Sequence, residues 1–111
     1  MAYDERIAAR LRAQFADMPN VVEKKMFGGI AFMVNGHMSC GVMNETLMVR
    51  VGPDRYEFAL ARPHARTMDF TGKPLKGFVY VAPAGFESDA ALAAWVDLSL
   101  EFVLRLPPKS P

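Results

Sequence analysis

The sequence predicts an α+β fold, in which an antiparallel sheet of about five strands carries an N-terminal helix, a short middle helix and a C-terminal helix. Apolar residues follow helical spacing near both ends of the chain, and short β-rich segments separated by turn residues fill the middle. The length of 111 residues is typical of one domain. We therefore interpret residues 1–111 as a single domain.

The composition argues against several classes of protein. With 13 basic and 12 acidic residues, the formal net charge is +1, so no strong field of one sign draws the chain to nucleic acid or to an anionic membrane. Cys40 is the only cysteine, which prevents an internal disulfide and agrees with a reducing compartment. No apolar run approaches the roughly 20 residues that span a bilayer, and the N-terminus is charged, unlike a signal peptide. We expect a cytoplasmic protein.

The N-terminal helix is predicted from a capping residue and an apolar stripe. Asp4 precedes the stripe and can accept a hydrogen bond from the first turn, while Pro19 and Asn20 end the pattern. The stripe residues follow a period of about 3.6 and are Ile7, Leu11, Phe15 and Met18.

Three strands are predicted next, joined as an antiparallel meander. Asn35 and Gly36 form the first connection, because a type I′ turn needs positive φ at both central positions. Gly28 and Gly29 interrupt the first strand and indicate a bend. A phosphate-binding loop is the alternative, but its glycine spacing is absent. The three segments run from Val21 to Val34, from His37 to Val42 and from Leu47 to Val51.

The second half predicts a short helix, two strands and a long helix. Pro53 suits a first helical turn and Pro63 stops the helix soon afterwards. Two strands, Thr67 to Phe70 and Gly77 to Val81, follow around a polar loop at residues 71–76. Ser88 caps the last helix. Its inward face is expected to contain Leu92, Trp95, Val96, Ser99, Phe102, Val103 and Leu106.

His37 and Cys40 are the one His/Cys pair close in sequence, so thiol–imidazole chemistry or a metal site has to be considered. In an unbroken strand, residues three apart point to opposite faces, and zinc would need further ligands. We therefore predict no catalytic, cofactor-binding or metal-binding residue. The alternative is an enzyme or small-ligand-binding protein with a pocket near Gly28, Gly29, His37 and Cys40.

The methionines and the last helix are two candidates for a surface that binds a protein partner. Several of the eight methionines lie in or beside strands, where core packing is favoured over an adaptable binding surface. The last helix has more apolar residues than one face needs. The predicted interaction surface therefore consists of Leu98, Leu100 and Leu104 with the loop residues Lys73 and Lys76. A homodimer would cover this surface and the exposed sheet edges.

Several segments together resemble one family. The most specific is Met26-Phe27-Gly28-Gly29 followed by the hairpin at Asn35-Gly36. The others are Leu47 to Val51, Gly72 to Val81, Trp95 and Leu106 to Lys109. This combination resembles the TfoX/Sxy N-terminal-domain family, and it spans nearly the whole chain.

The resemblance implies a curved antiparallel sheet with flanking helices, like that of secretion-chaperone-type domains. Full-length members regulate natural competence, acting as co-activators with the cyclic-AMP receptor protein. They continue into a helical C-terminal domain, whereas this sequence stops at Pro111. The resemblance therefore implies a stand-alone, non-enzymatic module that binds a protein partner in regulation, and the balanced charge argues against direct nucleic-acid binding. It implies no catalytic residues and no cofactor.

Overall fold

A computed structural model of the protein describes residues 3–26, 28–69 and 72–109. The strands in these ranges are β1 (Val21–Met26), β2 (Gly29–Val34), β3 (His37–Met43), β4 (Thr46–Arg50), β5 (Ala65–Asp69) and β6 (Pro74–Val81). The helices are α1 (Glu5–Gln14), α2 (Tyr56–Leu60), a 3₁₀ helix (Pro83–Phe86) and α3 (Asp89–Val103). Phe27, Phe70 and Thr71, which the sequence analysis placed in the glycine motif, a strand and a loop, lie outside the described residues.

The strands form one antiparallel sheet in the order β1-β2-β3-β4-β6-β5. The predicted α+β class is confirmed, with six strands where about five were expected. The difference arises at the glycine pair, because Met26 pairs with Gly29 and the chain reverses there instead of bending. Gly29 must lack a side chain, since a Cβ at this position would collide with the carbonyl oxygen of Val42.

Both predicted helix caps are present. The Asp4 carboxylate accepts a hydrogen bond from the Arg6 backbone N–H at 2.8 Å, and Ser88 Oγ accepts one from Ala91 N–H at 3.0 Å.

The long strand β6 begins at Pro74, which pairs with Asp69. The predicted loop at residues 71–76 is therefore shorter than expected.

The helices cover one face of the sheet. Residues of α1, α2 and α3 join inward-facing strand residues in the main apolar cluster. Trp95 lies within it with 2% of its surface exposed, and its indole N–H donates to the carbonyl of Gly85 at 3.2 Å. The predicted core position of Trp95 is confirmed. Among the described residues, no helix is long and apolar enough to cross a membrane.

Candidate interaction surface

The other face of the sheet, which we call the helix-free face, has its own apolar cluster. Met48 pairs with Tyr80 between two core-facing pairs, so alternation along the strands turns both side chains away from the helices. No helix residue belongs to this cluster within the described part of the chain. Its members are Met48, Met68 and Tyr80, with the half-buried Met38, Met43 and Phe78 against them.

Met48 is fully buried on this face although no helix covers it. It pairs with Gly41, and a Cβ at Gly41 would lie 2.8 Å from the terminal methyl carbon of Met48. The absence of a side chain at Gly41 therefore lets the methionine fold down onto the sheet. The methionines divide into two roles, because Met48 and Met68 pack while Met38 and Met43 remain partly accessible.

Arginines cover the aromatic rings of the helix-free face. The guanidinium carbon of Arg66 lies 5.0 Å from the centre of the Tyr80 ring, and burial of Tyr80 raises its pKa above the ordinary value. Arg50 lies 5.4 Å from the Phe78 ring centre and 5.3 Å from that of Phe102, at the end of α3. Burial between these rings lowers the pKa of Arg50, but a guanidinium still remains charged at neutral pH.

A groove of about 670 Å³ lies at the β1–β2 end of the helix-free face. Val22, Lys24 and Met33 belong to its lining, and Pro108 and Lys109 of the C-terminal segment also border it. Val22 pairs with Met33, and the pairs on either side contain the core residues Val34 and Phe32. The groove floor therefore faces away from the helices, and the groove continues the methionine face.

The C-terminal segment is attached beside the hairpin turn. Lys109 N–H donates to the Asn35 carbonyl at 2.8 Å, and His37 Nε2–H donates to the Pro107 carbonyl at 2.7 Å. Asn35 and Gly36 have φ values of 52° and 84°, which confirms the predicted positive φ at both turn positions. A Cβ at Gly36 would lie 2.5 Å from the Lys109 carbonyl oxygen, so glycine also gives the segment room.

The helix-free face has a surplus of positive charge. In the described part of the chain, every ion pair lies elsewhere: Arg6–Asp4, Arg10–Asp89, Arg12–Glu23 and Arg55–Glu101. The basic residues of the face and its groove are Lys24, Arg50, Arg66 and Lys109. Asp69 is close enough to Tyr80 to contribute to its raised pKa, after burial of the ring.

A comparison with protein families places these features in a known group. The family model of the TfoX N-terminal domain matches residues 13–103. The chain belongs to the TfoX N-terminal domain family. The match includes all six strands and α3, so both faces of the sheet lie inside it. A comparison with curated proteins finds no match.

Some residues of the interaction surface predicted from the sequence are buried in this TfoX N-terminal domain. Leu98 is 7% exposed and belongs to the core, so it offers no surface. Leu100 is half-buried against the same core, whereas Leu104 is 51% exposed. The reason is that α3 contacts α1 as well as β3 and β4, so more than one side of α3 is covered. Lys73 and Lys76 are exposed.

His37 and Cys40 occupy separate environments in the TfoX N-terminal domain. Cys40 pairs with Phe32, but Met38 pairs with Met33, so Ser39 is an extra residue that breaks the alternation of β3. Sequence reasoning assumed an unbroken strand and placed the two side chains on opposite faces. The break turns both toward the helix side, where His37 bonds the Pro107 carbonyl and Cys40 is buried.

Polar groups around Cys40 are satisfied within the core. Ser99 Oγ–H donates to the Ser39 carbonyl at 3.1 Å, and the two hydroxyl oxygens of Ser39 and Ser99 are 2.7 Å apart. Burial raises the pKa of Cys40 to about 12, so the reactive thiolate is suppressed at neutral pH. Within residues 3–26, 28–69 and 72–109, no group of three His, Cys, Asp or Glu residues could hold a metal ion. Gly28, Gly29, His37 and Cys40 do not line the groove.

The groove was missed by sequence reasoning. It combines β1, β2 and a C-terminal segment more than seventy positions away, which the hydrogen bond from Lys109 to Asn35 attaches beside the turn. The one available signal was the alternation of Val22, Lys24 and Met26 along β1, which places a lysine between apolar residues on one face.

Proposed function

We propose that this TfoX N-terminal domain is a non-enzymatic, cytoplasmic protein-interaction module that acts in regulation. The observation that carries the proposal is the helix-free face, where Met38, Met43 and Phe78 are partly accessible beside arginines without carboxylate partners in the described chain. Antiparallel sheets commonly expose one face, but that face is normally polar. Methionine is flexible and polarizable, and it suits a surface that adapts to a partner.

Family membership supports the regulatory part of the proposal. The sequence resembles the N-terminal part of competence regulators that work with another protein, and the family match spans residues 13–103. A co-regulator needs a surface for its partner and needs no catalytic group. The burial of Cys40 agrees with this, because a buried thiol is not available to a substrate, and His37 uses one ring nitrogen to bond the Pro107 carbonyl.

Affinity capture from the cells that produce the protein tests the proposal. We expect a reproducible protein partner with the wild type, and loss of that partner with Met43→Lys, which adds charge to the helix-free face. Lysine can lay its aliphatic stem along the surface, so the fold should be retained. The matched control is Phe58→Lys, because Phe58 is 50% exposed and belongs to α2 rather than to the helix-free face.

The melting temperature of each variant is measured alongside the capture. A reproducible partner retained by Phe58→Lys and lost by a folded Met43→Lys supports the proposal. Capture of no reproducible partner would contradict it, and so would equal capture by both variants. Turnover of a small molecule that depends on Cys40 or His37 would instead favour the enzyme alternative.

A further inference from the structure

We propose that the groove between the β1–β2 hairpin and the C-terminal segment binds a linear, acidic segment of a protein partner, with apolar side chains on Val22 and Met33 and carboxylates on Lys24 and Lys109. This inference rests on the proposed interaction function and names the surface and the chemistry of the partner. The groove has a volume of about 670 Å³, which accommodates a few side chains of an extended segment.

The floor supplies the apolar contact. Val22 is 63% exposed, the largest exposed fraction among the large apolar residues that the structure describes. Met33 is half-buried beside it, and Pro108 lies on the other side of the groove. A valine and a methionine at the bottom of a concave site can bury an incoming aliphatic side chain, and removal of apolar surface from water favours association.

The charges around the floor select an acidic occupant. Lys24 and Lys109 line the groove, and neither takes part in an ion pair within the described chain. Glu23, the neighbour of Lys24, is held on the other side of β1 by a bidentate contact with Arg12, with N–O distances of 2.6 and 2.7 Å. This contact lowers the pKa of Glu23 and keeps its charge directed at Arg12. The charged side chains among the described lining residues are therefore both lysines.

The same geometry disfavours a single-stranded nucleic acid. Binding of bases without sequence preference depends on aromatic rings with free faces. No aromatic residue is among the described residues that line the groove. On the adjoining face, the rings of Tyr80 and Phe78 each carry an arginine at 5.0 and 5.4 Å. An acidic polypeptide with aliphatic side chains fits these observations better.

The β1 strand itself provides a matched pair of variants. Lys24 pairs with Ala31 and faces the groove, whereas Lys25 pairs with Ile30 and faces the opposite side of the sheet. Lys24→Glu and Lys25→Glu change the net charge equally, at adjacent exposed positions of one strand. Any difference between them therefore reports the face on which the ligand lies, rather than the overall charge of the protein.

The test is a fluorescence titration of the full chain with a labelled short peptide that alternates leucine with aspartate. We expect binding that weakens with added salt, as exposed charges are screened. Lys24→Glu should weaken binding by at least about tenfold, or about 1.4 kcal/mol, while Lys25→Glu changes it by less than about threefold, or about 0.65 kcal/mol. A peptide with lysine in place of aspartate should show the reverse preference and bind Lys24→Glu better than wild type.

Three results would overturn the inference: no binding of the aspartate peptide, equal loss with Lys24→Glu and Lys25→Glu, or tighter binding of a single-stranded oligothymidine that competes with the peptide. The proposed function is judged separately by cellular capture. If a partner is captured by wild type and equally well by Lys24→Glu, the groove assignment fails while the interaction function stands. If no partner is captured but the peptide maps to Lys24, the proposed function fails instead.

Discussion

Trp95 holds α3 against the rest of the chain through packing and a hydrogen bond. Its ring is 2% exposed, its N–H donates to Gly85, and Arg62 lies 5.3 Å from its centre. Truncation to alanine would leave a cavity and an unpaired carbonyl. We expect Trp95→Ala to lower the free energy of unfolding by about 3–5 kcal/mol, as for other buried large aromatics. Urea denaturation measures the change.

Trp95→Phe is the control for this prediction. It keeps most of the packing but removes the hydrogen bond to Gly85, so its loss of stability should be clearly smaller than that of the alanine variant. A Trp95→Ala protein that unfolds at the wild-type denaturant concentration would show that the indole is not a core group.

Burial of Cys40 should make the free energy of unfolding depend on pH at alkaline values. Burial favours the neutral thiol and raises the folded-state pKa from its ordinary value of 9.0 to about 12. Above pH 9 the unfolded chain releases a proton that the folded chain retains, so the free energy of unfolding falls as the pH rises toward 12. We expect this fall to be steeper in wild type than in Cys40→Ala, when both are followed by denaturant titration.

Reaction of the thiol with a disulfide reagent provides a second measurement. At neutral pH, Cys40 should react only as fast as the protein opens, because it is buried and protonated in the fold. Rapid labelling of the native protein, or equal alkaline slopes for wild type and Cys40→Ala, would contradict its placement.

At the scale of an element, the β2–β3 hairpin and the C-terminal segment depend on Gly36. A left-handed conformation costs a residue with a Cβ about 1–2 kcal/mol. At Gly36, alanine would also meet the Lys109 carbonyl at 2.5 Å and the Lys109 Cβ at 2.8 Å. We expect Gly36→Ala to destabilise the protein and to speed hydrogen exchange at the Lys109 amide, which donates to Asn35.

Gly72 is the matched control for Gly36. Its φ of 83° is nearly the same as the 84° of Gly36, but a Cβ there would meet nothing within 4 Å. Gly72→Ala should therefore show the conformational cost without faster exchange at Lys109. Equal effects of the two substitutions on stability and on exchange would mean that the contact with the C-terminal segment contributes nothing.

At the scale of the whole molecule, the sheet ends in two edge strands, β1 and β5, and Leu104 leaves an exposed apolar side chain at the end of α3. Edges and apolar patches of this kind are often covered by a second copy related by two-fold symmetry. We predict a homodimer at micromolar concentration. Sedimentation equilibrium over a wide concentration range measures the association.

Leu104→Lys should shift this equilibrium toward monomer without lowering the melting temperature, because the side chain is 51% exposed. Leu75→Lys is the control, since Leu75 is 42% exposed but lies on β6 rather than α3. A wild type that stays monomeric throughout, or equal association of both variants, would remove Leu104 from the predicted interface.

Features that depend on near neighbours could be predicted from the sequence. Asp4 and Ser88 could be recognised as caps because each bonds a backbone group two or three residues away. Asn35 and Gly36 could be recognised as a turn because positive φ is a property of those residues themselves. Trp95 could be placed in the core because helical periodicity needs only the apolar pattern of its own helix. These signals were enough for the α+β class and the family resemblance.

Features that depend on distant residues could not be predicted from local sequence patterns. The expected bend became a reversal because β1 pairs with β2 across it, with Met26 opposite Gly29, and the burial of Leu98 follows from the contact of α3 with α1. The candidate site shows this dependence most clearly. Lys24 and Lys109 line one groove because Lys109 hydrogen-bonds to the turn at Asn35. Nothing in the local pattern of either lysine encodes that proximity, because a contact across the chain is determined by packing of the whole fold.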